Sequence, residues 1–154
     1  MLMSYSRIVK NTISPMKVSD YVVDFLVKAG IRHVFVVQGG AIAHLVDSIS
    51  KRSDIEYVCV GHEQAGAFAV HGYAGVGGLA CAMGTTGPGV LNLLNGIATC
   101  YYDSLPGIFI GGQVTEARFR AKELGVRQLG FQESPHMELA YPITKYSATI
   151  AHAA

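Results

Sequence analysis

The chain has 154 residues, the length of a single globular domain, and half of its residues are apolar while only 15% are charged. Soluble domains usually contain about a quarter charged residues, so part of this surface is expected to lie against another domain or subunit. The net charge of +1 excludes the strongly basic balance that is typical of nucleic-acid-binding domains.

The cysteines and the termini favour a cytoplasmic protein that does not enter a membrane. Cys59, Cys81 and Cys100 are widely spaced in apolar stretches, which predicts buried reduced thiols. Residues 1–15 contain no apolar signal segment and are interpreted as a disordered extension, and their acid-free composition leaves organelle import open. The uncharged stretch 79–102 is interrupted by glycine and asparagine, which favours a buried strand and helix over a membrane span.

Helical and strand patterns alternate along residues 16–154, which are interpreted as one domain. The first helix begins at Ser19, a suitable N-cap, and its apolar stripe includes Tyr21 and Phe25. Continuously apolar strands are typical of a sheet that is covered on both faces. We therefore predict a three-layer, doubly wound α/β fold with a mostly parallel sheet. The predicted helices are 19–29, 42–51, 63–73 and 90–101, and the predicted strands are 33–37, 55–60, 79–83, 106–110 and 143–150.

Four distinctive loops follow predicted strands at their carboxyl ends, which is where ligands bind in parallel α/β sheets. These loops contain Gly39-Gly40, Glu63, the turn 85–89 and Gln113. Because the carboxyl ends of parallel strands meet at the same edge of a sheet, we expect these residues to lie close together. The sequence therefore predicts a ligand site at this edge.

Glu63 is the most informative residue of these loops, and two interpretations of it remain open. It lies in the first turn of a predicted helix, where an acid simply complements the helix dipole. The following residues 65–69 are apolar, so the carboxyl group is also a candidate for a desolvated proton donor or acceptor.

The turn Gly87-Pro88-Gly89 precedes an apolar helix and also allows more than one use. Its backbone N–H groups can bind an anion, or its glycines can let a flat ring approach the backbone closely. The pattern Gly87-x-Gly89-x-x-Asn92 approaches a dinucleotide fingerprint but lacks the third glycine and the later acid. A small nucleotide-binding domain is therefore the less favoured alternative.

A series of motifs resembles, in order and spacing, the pyrimidine-binding domain of thiamine-diphosphate-dependent enzymes. Within that family the sequence is most similar to acetolactate synthase and its relatives, and the resemblance covers residues 16–150. The motifs are HEQAGAFA at 62–69, TTGPG at 85–89, YDSLP at 102–106, GGQV at 111–114, FQE at 131–133 and PITKY at 142–146.

The resemblance implies roles for individual residues. Glu63 would hydrogen-bond the N1′ atom of the cofactor's pyrimidine ring and so promote removal of the proton from the thiazolium C2 carbon, which then attacks a 2-oxo acid such as pyruvate. Gln132 would act in catalysis and would lie with Phe131 on the substrate side. The other residues implied to bind the cofactor are Gly39, Gly40, Thr86, Gly87, Pro88, Gly89, Asn92 and Gln113.

The resemblance also implies that a second domain is needed to complete the active site. In this family the diphosphate and its Mg²⁺ bind a second domain through a Gly-Asp-Gly motif, and no aspartate of this chain is flanked by glycine. The chain is therefore expected to hold only the pyrimidine end of the cofactor and to contain no metal site. We interpret it as a fragment or split subunit, inactive alone, that works with a diphosphate-binding domain or subunit in trans within a homo- or hetero-oligomer.

Departures from the family pattern leave the identity of the 2-oxo acid open. Gln38 precedes Gly39 where the family usually has proline, His71 replaces an aspartate, and Gly75 replaces an arginine. The stretch 114–130 is also longer than in typical acetolactate synthases. These differences favour the alternative that the chain is a non-catalytic assembly module that has kept the fold.

Overall fold

The computed structural model describes residues 16–118 and 120–150, so the predicted extension 1–15 lies outside the described residues. Its centre is a sheet of four parallel strands in the order β2-β1-β3-β4. Because β2 and β3 lie on opposite sides of β1, the winding reverses between β1 and β3, which is the point where such sheets bind ligands. The strands are β1 (His33–Val36), β2 (Glu56–Cys59), β3 (Cys81–Gly84) and β4 (Ile108–Gly111).

Helices cover both faces of the sheet. Successive strand residues point to opposite faces, so Val34 and Cys81 lie in the core beneath α1 and α2, whereas Phe35 and Ala82 lie in the core beneath α3 and α5. The three-layer, doubly wound fold is therefore confirmed. The helices are α1 (Val18–Lys28), α2 (Ala43–Ser50), α3 (Glu63–Gly75), α4 (Pro88–Leu91), α5 (Leu94–Tyr102) and α6 (His136–Ala140), with 3₁₀ turns at Gly40–Ile42, Glu116–Arg118 and Tyr141–Ile143.

The first helix differs from its prediction in its cap and in its buried face. Ser19 lies inside α1, and its Oγ accepts a hydrogen bond from Ser48 Oγ in α2 at 2.9 Å. The helix turns Val23 and Leu26 toward the sheet, which leaves Tyr21 and Phe25 65% and 56% exposed. The predicted apolar stripe, which also included Leu26, is therefore buried at Leu26 but exposed at Tyr21 and Phe25.

Two predicted elements are also corrected. The predicted helix 90–101 is divided into α4 and α5, because the N–H of Leu93 bonds to Val90 O only three residues back. The predicted strand 143–150 does not form, since the described residues 144–150 pair with neither edge of the sheet. The 3₁₀ turn Tyr141–Ile143 contains Pro142, and Thr144 Oγ1 donates to the carbonyl of Ala140 at 3.0 Å.

The cysteine prediction holds for two of the three residues. Cys81 and Cys100 are buried free thiols, whereas Cys59 is exposed. Cys59 ends β2, and β2 is an edge strand whose residues are only partly covered. The prediction that Cys59 is buried is therefore wrong.

Candidate functional site

The loops that follow β1, β3 and β4 touch one another at the carboxyl edge of the sheet. Thr85 Oγ1 accepts a hydrogen bond from the N–H of Ala41 at 3.4 Å. A Cβ atom on Gly39 would lie 2.5 Å from the side chain of Thr85, and one on Gly112 would lie 2.6 Å from Ala41 Cβ. The predicted clustering of these loops is therefore confirmed, and Gly39 occupies a contact that has no space for a side chain.

Glu63 begins α3, but its carboxyl group does not cap the helix. The cap is His62, whose Nδ1 accepts the N–H of Gln64 at 3.2 Å. Glu63 is only 9% exposed, and its Oε2 accepts a hydrogen bond from Asn92 Nδ2 at 2.9 Å. The buried carboxyl group thus bridges from α3 to the segment between α4 and α5.

The second carboxyl oxygen of Glu63 faces the glycine turn. A Cβ atom on Gly89 would lie 3.4 Å from Glu63 Oε1, so Gly89 leaves that oxygen uncovered by a side chain. Across residues 16–118 and 120–150, no ion pair involves Glu63. A nearly buried carboxyl group with one amide partner and no cation partner is suited to share a proton with a ring nitrogen.

The turn after β3 depends on glycine for close backbone contacts. A Cβ atom on Gly84 would lie 2.5 Å from Gly89 O. Gly87 has φ of 66°, a conformation that glycine adopts without strain, and a Cβ atom there would overlap Gln132 O. Pro88 is exposed at the start of α4, whereas Thr86 is buried. The turn is therefore packed closely on its inner side and open at Pro88.

Gln113 lies after β4 and ties two loops together. Its Oε1 accepts the N–H of Val114 at 2.9 Å, and its Nε2 donates to the carbonyl of Ser134 at 3.2 Å. Through Ser134 it anchors the segment that carries Gln132, whose backbone lies against Gly87. Phe131 in the same segment is 76% exposed.

The structure brings most of the predicted site residues together and leaves a few at the rim. The exposed rim residues are Gly40, Pro88, Phe131 and Gln132. The residues packed at the centre of the edge are Gly39, Glu63, Thr86, Gly87, Gly89, Asn92 and, one loop further, Gln113.

Sequence reasoning overlooked His136. This residue starts α6, is only 5% exposed, and lies beside Gln113 and Ser134. Its single signal in the sequence is its position three residues after the FQE motif, and no helical or strand periodicity marks it as buried.

The described residues contain neither a metal-binding cluster nor a membrane-spanning helix. No group of three or more His, Cys, Asp or Glu side chains in the described part of the chain is arranged to hold a metal ion. None of the described helices combines the length and the apolar character that crossing a bilayer requires.

Comparison with known proteins identifies the family. The family model for the "Thiamine pyrophosphate enzyme, N-terminal TPP binding domain" matches residues 16–139, and thiamine pyrophosphate is another name for thiamine diphosphate. The chain therefore belongs to the thiamine-diphosphate-dependent enzymes and corresponds to their N-terminal cofactor-binding domain.

Relatives within the family are acetolactate synthases. The large subunit from Buchnera aphidicola (subsp. Schizaphis graminum) is 34% identical over 130 residues, which cover 84% of this chain and 22% of the relative. The large subunit from Haemophilus influenzae is 34% identical over 136 residues, covering 88% and 22%. The chloroplastic acetolactate synthase of Arabidopsis thaliana is 36% identical over 137 residues, covering 86% and 19%. The chain thus spans about a fifth of the length of the curated relatives it matches.

Proposed function

We propose that the chain binds the aminopyrimidine end of thiamine diphosphate and forms half of the active site of an acetolactate-synthase-like 2-oxo acid carboligase (a transferase) or decarboxylase (a lyase). The observation that carries this proposal is the buried Glu63 carboxyl group, held by Asn92 and facing Gly89. This arrangement lies at the carboxyl edge of the sheet, where such folds bind ligands. When bound, the cofactor supplies a carbon nucleophile and takes up the electron pair that remains when a 2-oxo acid loses CO₂.

The role of Glu63 is to hold a proton at Oε1 in contact with the N1′ atom of the pyrimidine ring. Asn92 donates to Oε2 at 2.9 Å and thereby fixes the plane of the carboxyl group. Burial at 9% exposure excludes most of the water that would compete for that proton.

The glycines accommodate a flat ring beside this carboxyl group. A Cβ atom on Gly84 would lie 2.5 Å from Gly89 O, so the two backbones are in close contact, and a Cβ atom on Gly89 would lie 3.0 Å from Thr85 Cγ2. The backbone surface that they form next to Glu63 is therefore free of side chains, which suits stacking of an aromatic ring. Gly39, Thr86 and Gly87 would complete this surface, while Gln132 and Phe131 would face the 2-oxo acid.

The diphosphate and its Mg²⁺ would be held by a partner domain, in the same polypeptide or in another. The matched part of each acetolactate synthase is about a fifth of its length, so each relative contains ample chain for such a domain. An assembly of two or more copies in the cytoplasm is part of the same proposal. Its basis is the low charged content and the exposed apolar residues, among them Phe131.

His71, which departs from the family pattern, has a structural explanation. Its Nε2 lies 2.7 Å from Asp103 Oδ2, and this contact links α3 to the end of α5. His71 thus makes a contact between helices that does not involve Glu63, so this departure from the family pattern does not weaken the assignment of the site.

Reconstitution with a diphosphate-binding domain from an acetolactate synthase tests the proposal. The mixture is expected to release CO₂ from pyruvate in the presence of thiamine diphosphate and Mg²⁺. Glu63→Gln, which keeps the shape but loses the acid, is expected to lower this rate at least 100-fold, the lower range for removing general acid–base catalysis. Glu56→Gln changes an exposed acid on β2 and serves as the matched control.

The outcomes separate the proposal from its alternative. Activity that is lost in Glu63→Gln and kept in Glu56→Gln supports the role of Glu63. Full activity in Glu63→Gln contradicts that role. A chain that forms a stable complex but gives no activity under any pairing indicates the non-catalytic assembly module instead.

A further inference from the structure

A largely buried polar cluster lies beneath the end of β4 and includes Gln113, one of the residues that the resemblance assigns to cofactor binding. It consists of Gln113, Ser134 and His136, and the imidazole of His136 is only 5% exposed. Gln113 Nε2 lies 3.4 Å from His136 Nδ1, and Ser134 Oγ lies 3.3 Å from the same ring nitrogen. A Cβ atom on Gly111 would lie 3.4 Å from His136 Nε2, so the ring is packed directly against β4.

The backbone partners of Gln113 determine which way its amide points. Its Oε1 accepts the N–H of Val114, and its NH₂ group donates to the carbonyl of Ser134. The reverse orientation would place two donors together and two acceptors together. The nitrogen that faces His136 is therefore a donor, so a hydrogen bond between the two side chains requires a lone pair on Nδ1 of His136. The neutral ring with its proton on Nε2 meets this requirement.

This cluster controls the segment that lies over the glycine turn. Gln113 and His136 both bind Ser134, two residues after Gln132, whose backbone contacts Gly87. We propose that His136 is a positioning residue: its neutral ring holds Gln113 and the segment 131–134 against Gly87, and protonation of the ring releases that segment. The effect on 2-oxo acid chemistry rests on the proposed function, whereas the release itself does not.

The surroundings of His136 offer a positive charge no acidic partner, and only a hydrogen bond to the Ser134 backbone favours the protonated ring. Burial lowers the pKa of His136 from its ordinary 6.5, opposed by the hydrogen bond to the Ser134 backbone. The strand β4 and the helix α4 contain no titratable side chain, and α5 contributes only Cys100, Tyr101 and Tyr102.

The two nearby carboxylates are engaged elsewhere. Glu133 Oε2 accepts the N–H groups of Leu129 and Gly130, and Glu138 pairs with Lys122 at 3.2 Å. A protonated His136 would therefore place an N–H group against the NH₂ group of Gln113 with no acid within its network. Above the ordinary pKa of histidine the ring of His136 is neutral and its hydrogen bonds are intact. These hydrogen bonds are lost as the pH falls through the lowered pKa of His136 in the folded chain.

Nitrogen-15 NMR of the full chain without cofactor tests this inference independently of the proposed function. The side-chain NH₂ signals of Gln113 and the ring signals of His136 are followed from pH 8 to pH 5. The Gln113 signals are expected to move toward the positions of a solvated amide, with the same midpoint as the ring of His136. The backbone signals of residues 131–134 should change with that midpoint, while those of Gly84 and Gly89 should not.

Two substitutions of His136 separate positioning from simple packing. His136→Asn keeps an acceptor near the position of Nδ1 but cannot titrate, so the Gln113 signals should remain in place down to pH 5. His136→Leu removes the acceptor and should give the released Gln113 signals at every pH. His44→Leu changes an exposed histidine in α2 and should leave the whole titration unchanged.

Three results would overturn the inference. They are Gln113 signals that ignore the titration of His136 in the unmodified chain, Gln113 signals that still titrate in His136→Asn, and Gln113 signals that are unaffected in a folded His136→Leu chain. If His136→Leu does not fold, the titration of the unmodified chain and that of His136→Asn still decide the matter. A failure of the Glu63→Gln experiment would leave these NMR results intact, so the two proposals can fail separately.

Discussion

The two sides of the ligand edge are built on different physical principles. The glycine side, defined as residues 84–89 with Glu63 and Asn92, is shaped by backbone contacts that exclude side chains. The hydrogen-bonded side, defined as Gln113, residues 131–134 and His136, is held by polar contacts of 3.2–3.4 Å between side chains and backbone. One side is fixed by steric exclusion, and the other depends on the protonation state of a single ring.

This difference indicates how the two sides should respond to change. Packing contacts between backbone atoms are insensitive to pH, and they fail only when atoms are added. A hydrogen bond that an imidazole nitrogen accepts is lost when that nitrogen gains a proton, although the shape of the ring does not change. We therefore expect substitutions to affect the glycine side and acid to affect the hydrogen-bonded side.

The largest effect is expected from Gly84→Ala on the glycine side. The new Cβ atom would lie 2.5 Å from Gly89 O, which is a backbone atom, so the turn itself must move. The free energy of unfolding should fall by roughly 1–3 kcal/mol, the usual cost of overpacking. Urea unfolding followed by circular dichroism measures this change.

A matched control uses a second glycine of the same edge. A Cβ atom on Gly40 would meet nothing within 4 Å, so Gly40→Ala should change the stability little. Equal losses in Gly84→Ala and Gly40→Ala would contradict the steric account of the glycine side. The His136 titration should persist in both variants, because neither change touches the polar cluster.

A smaller loss of stability is expected when the pH is lowered, and it should come from the hydrogen-bonded side. The pKa of His136 is lowered by burial, so its contribution to stability is complete above pH 6.5 and is lost as the pH falls through the folded value. The loss should be about 1 kcal/mol, the typical net contribution of one hydrogen bond. Urea unfolding at pH 8 and at pH 5.5 measures it, and His136→Asn should show a smaller difference between the two.

The carboxylates whose pKa values are lowered do not contribute within this window. The pKa of Asp24 is lowered from 3.8 mainly by its hydrogen bond with Lys28, and that of Asp54 mainly by its hydrogen bond with Arg52. Stabilisation from such carboxylates is present above their ordinary pKa and is lost only at lower pH. A stability difference in His136→Asn that equals that of the unmodified chain would therefore exclude His136 as its source.

Much of the fold could be predicted because its signals are local. The apolar runs around Val34 and Cys81 indicated doubly covered strands, and the glycines after them indicated the turns of a ligand edge. The buried face of α1 was harder to predict, since the predicted stripe and the observed one share Leu26 and differ in Tyr21, Phe25 and Val23. Which of these stripes is buried depends on how α1 packs on α2 and the sheet, and helical spacing alone does not contain that information.

The features of the candidate site also divide into those that the sequence predicted and those that it did not. Glu63 and the glycine turn were predicted to lie at the same edge of the sheet because both follow parallel strands at their carboxyl ends, whereas their roles toward a cofactor rested on the family resemblance. The bond from Asn92 to Glu63 joins residues 29 apart, and the network around His136 depends on the packing of residues 131–140 under β4. Strand 143–150 was predicted from apolar content, but Pro142 and the Thr144 hydrogen bond close a turn there instead.

Cofactor-induced changes in the NMR spectrum test the central claim most directly. The nitrogen-15-labelled chain is combined with an unlabelled diphosphate-binding domain, and spectra are compared with and without thiamine diphosphate and Mg²⁺. We predict that the largest changes occur at the backbone amide of Gly89 and the side-chain amide of Asn92, and that Glu63→Gln reduces them. Tight cofactor binding that leaves Gly89 and Asn92 unchanged would contradict the assignment of this edge as the pyrimidine site.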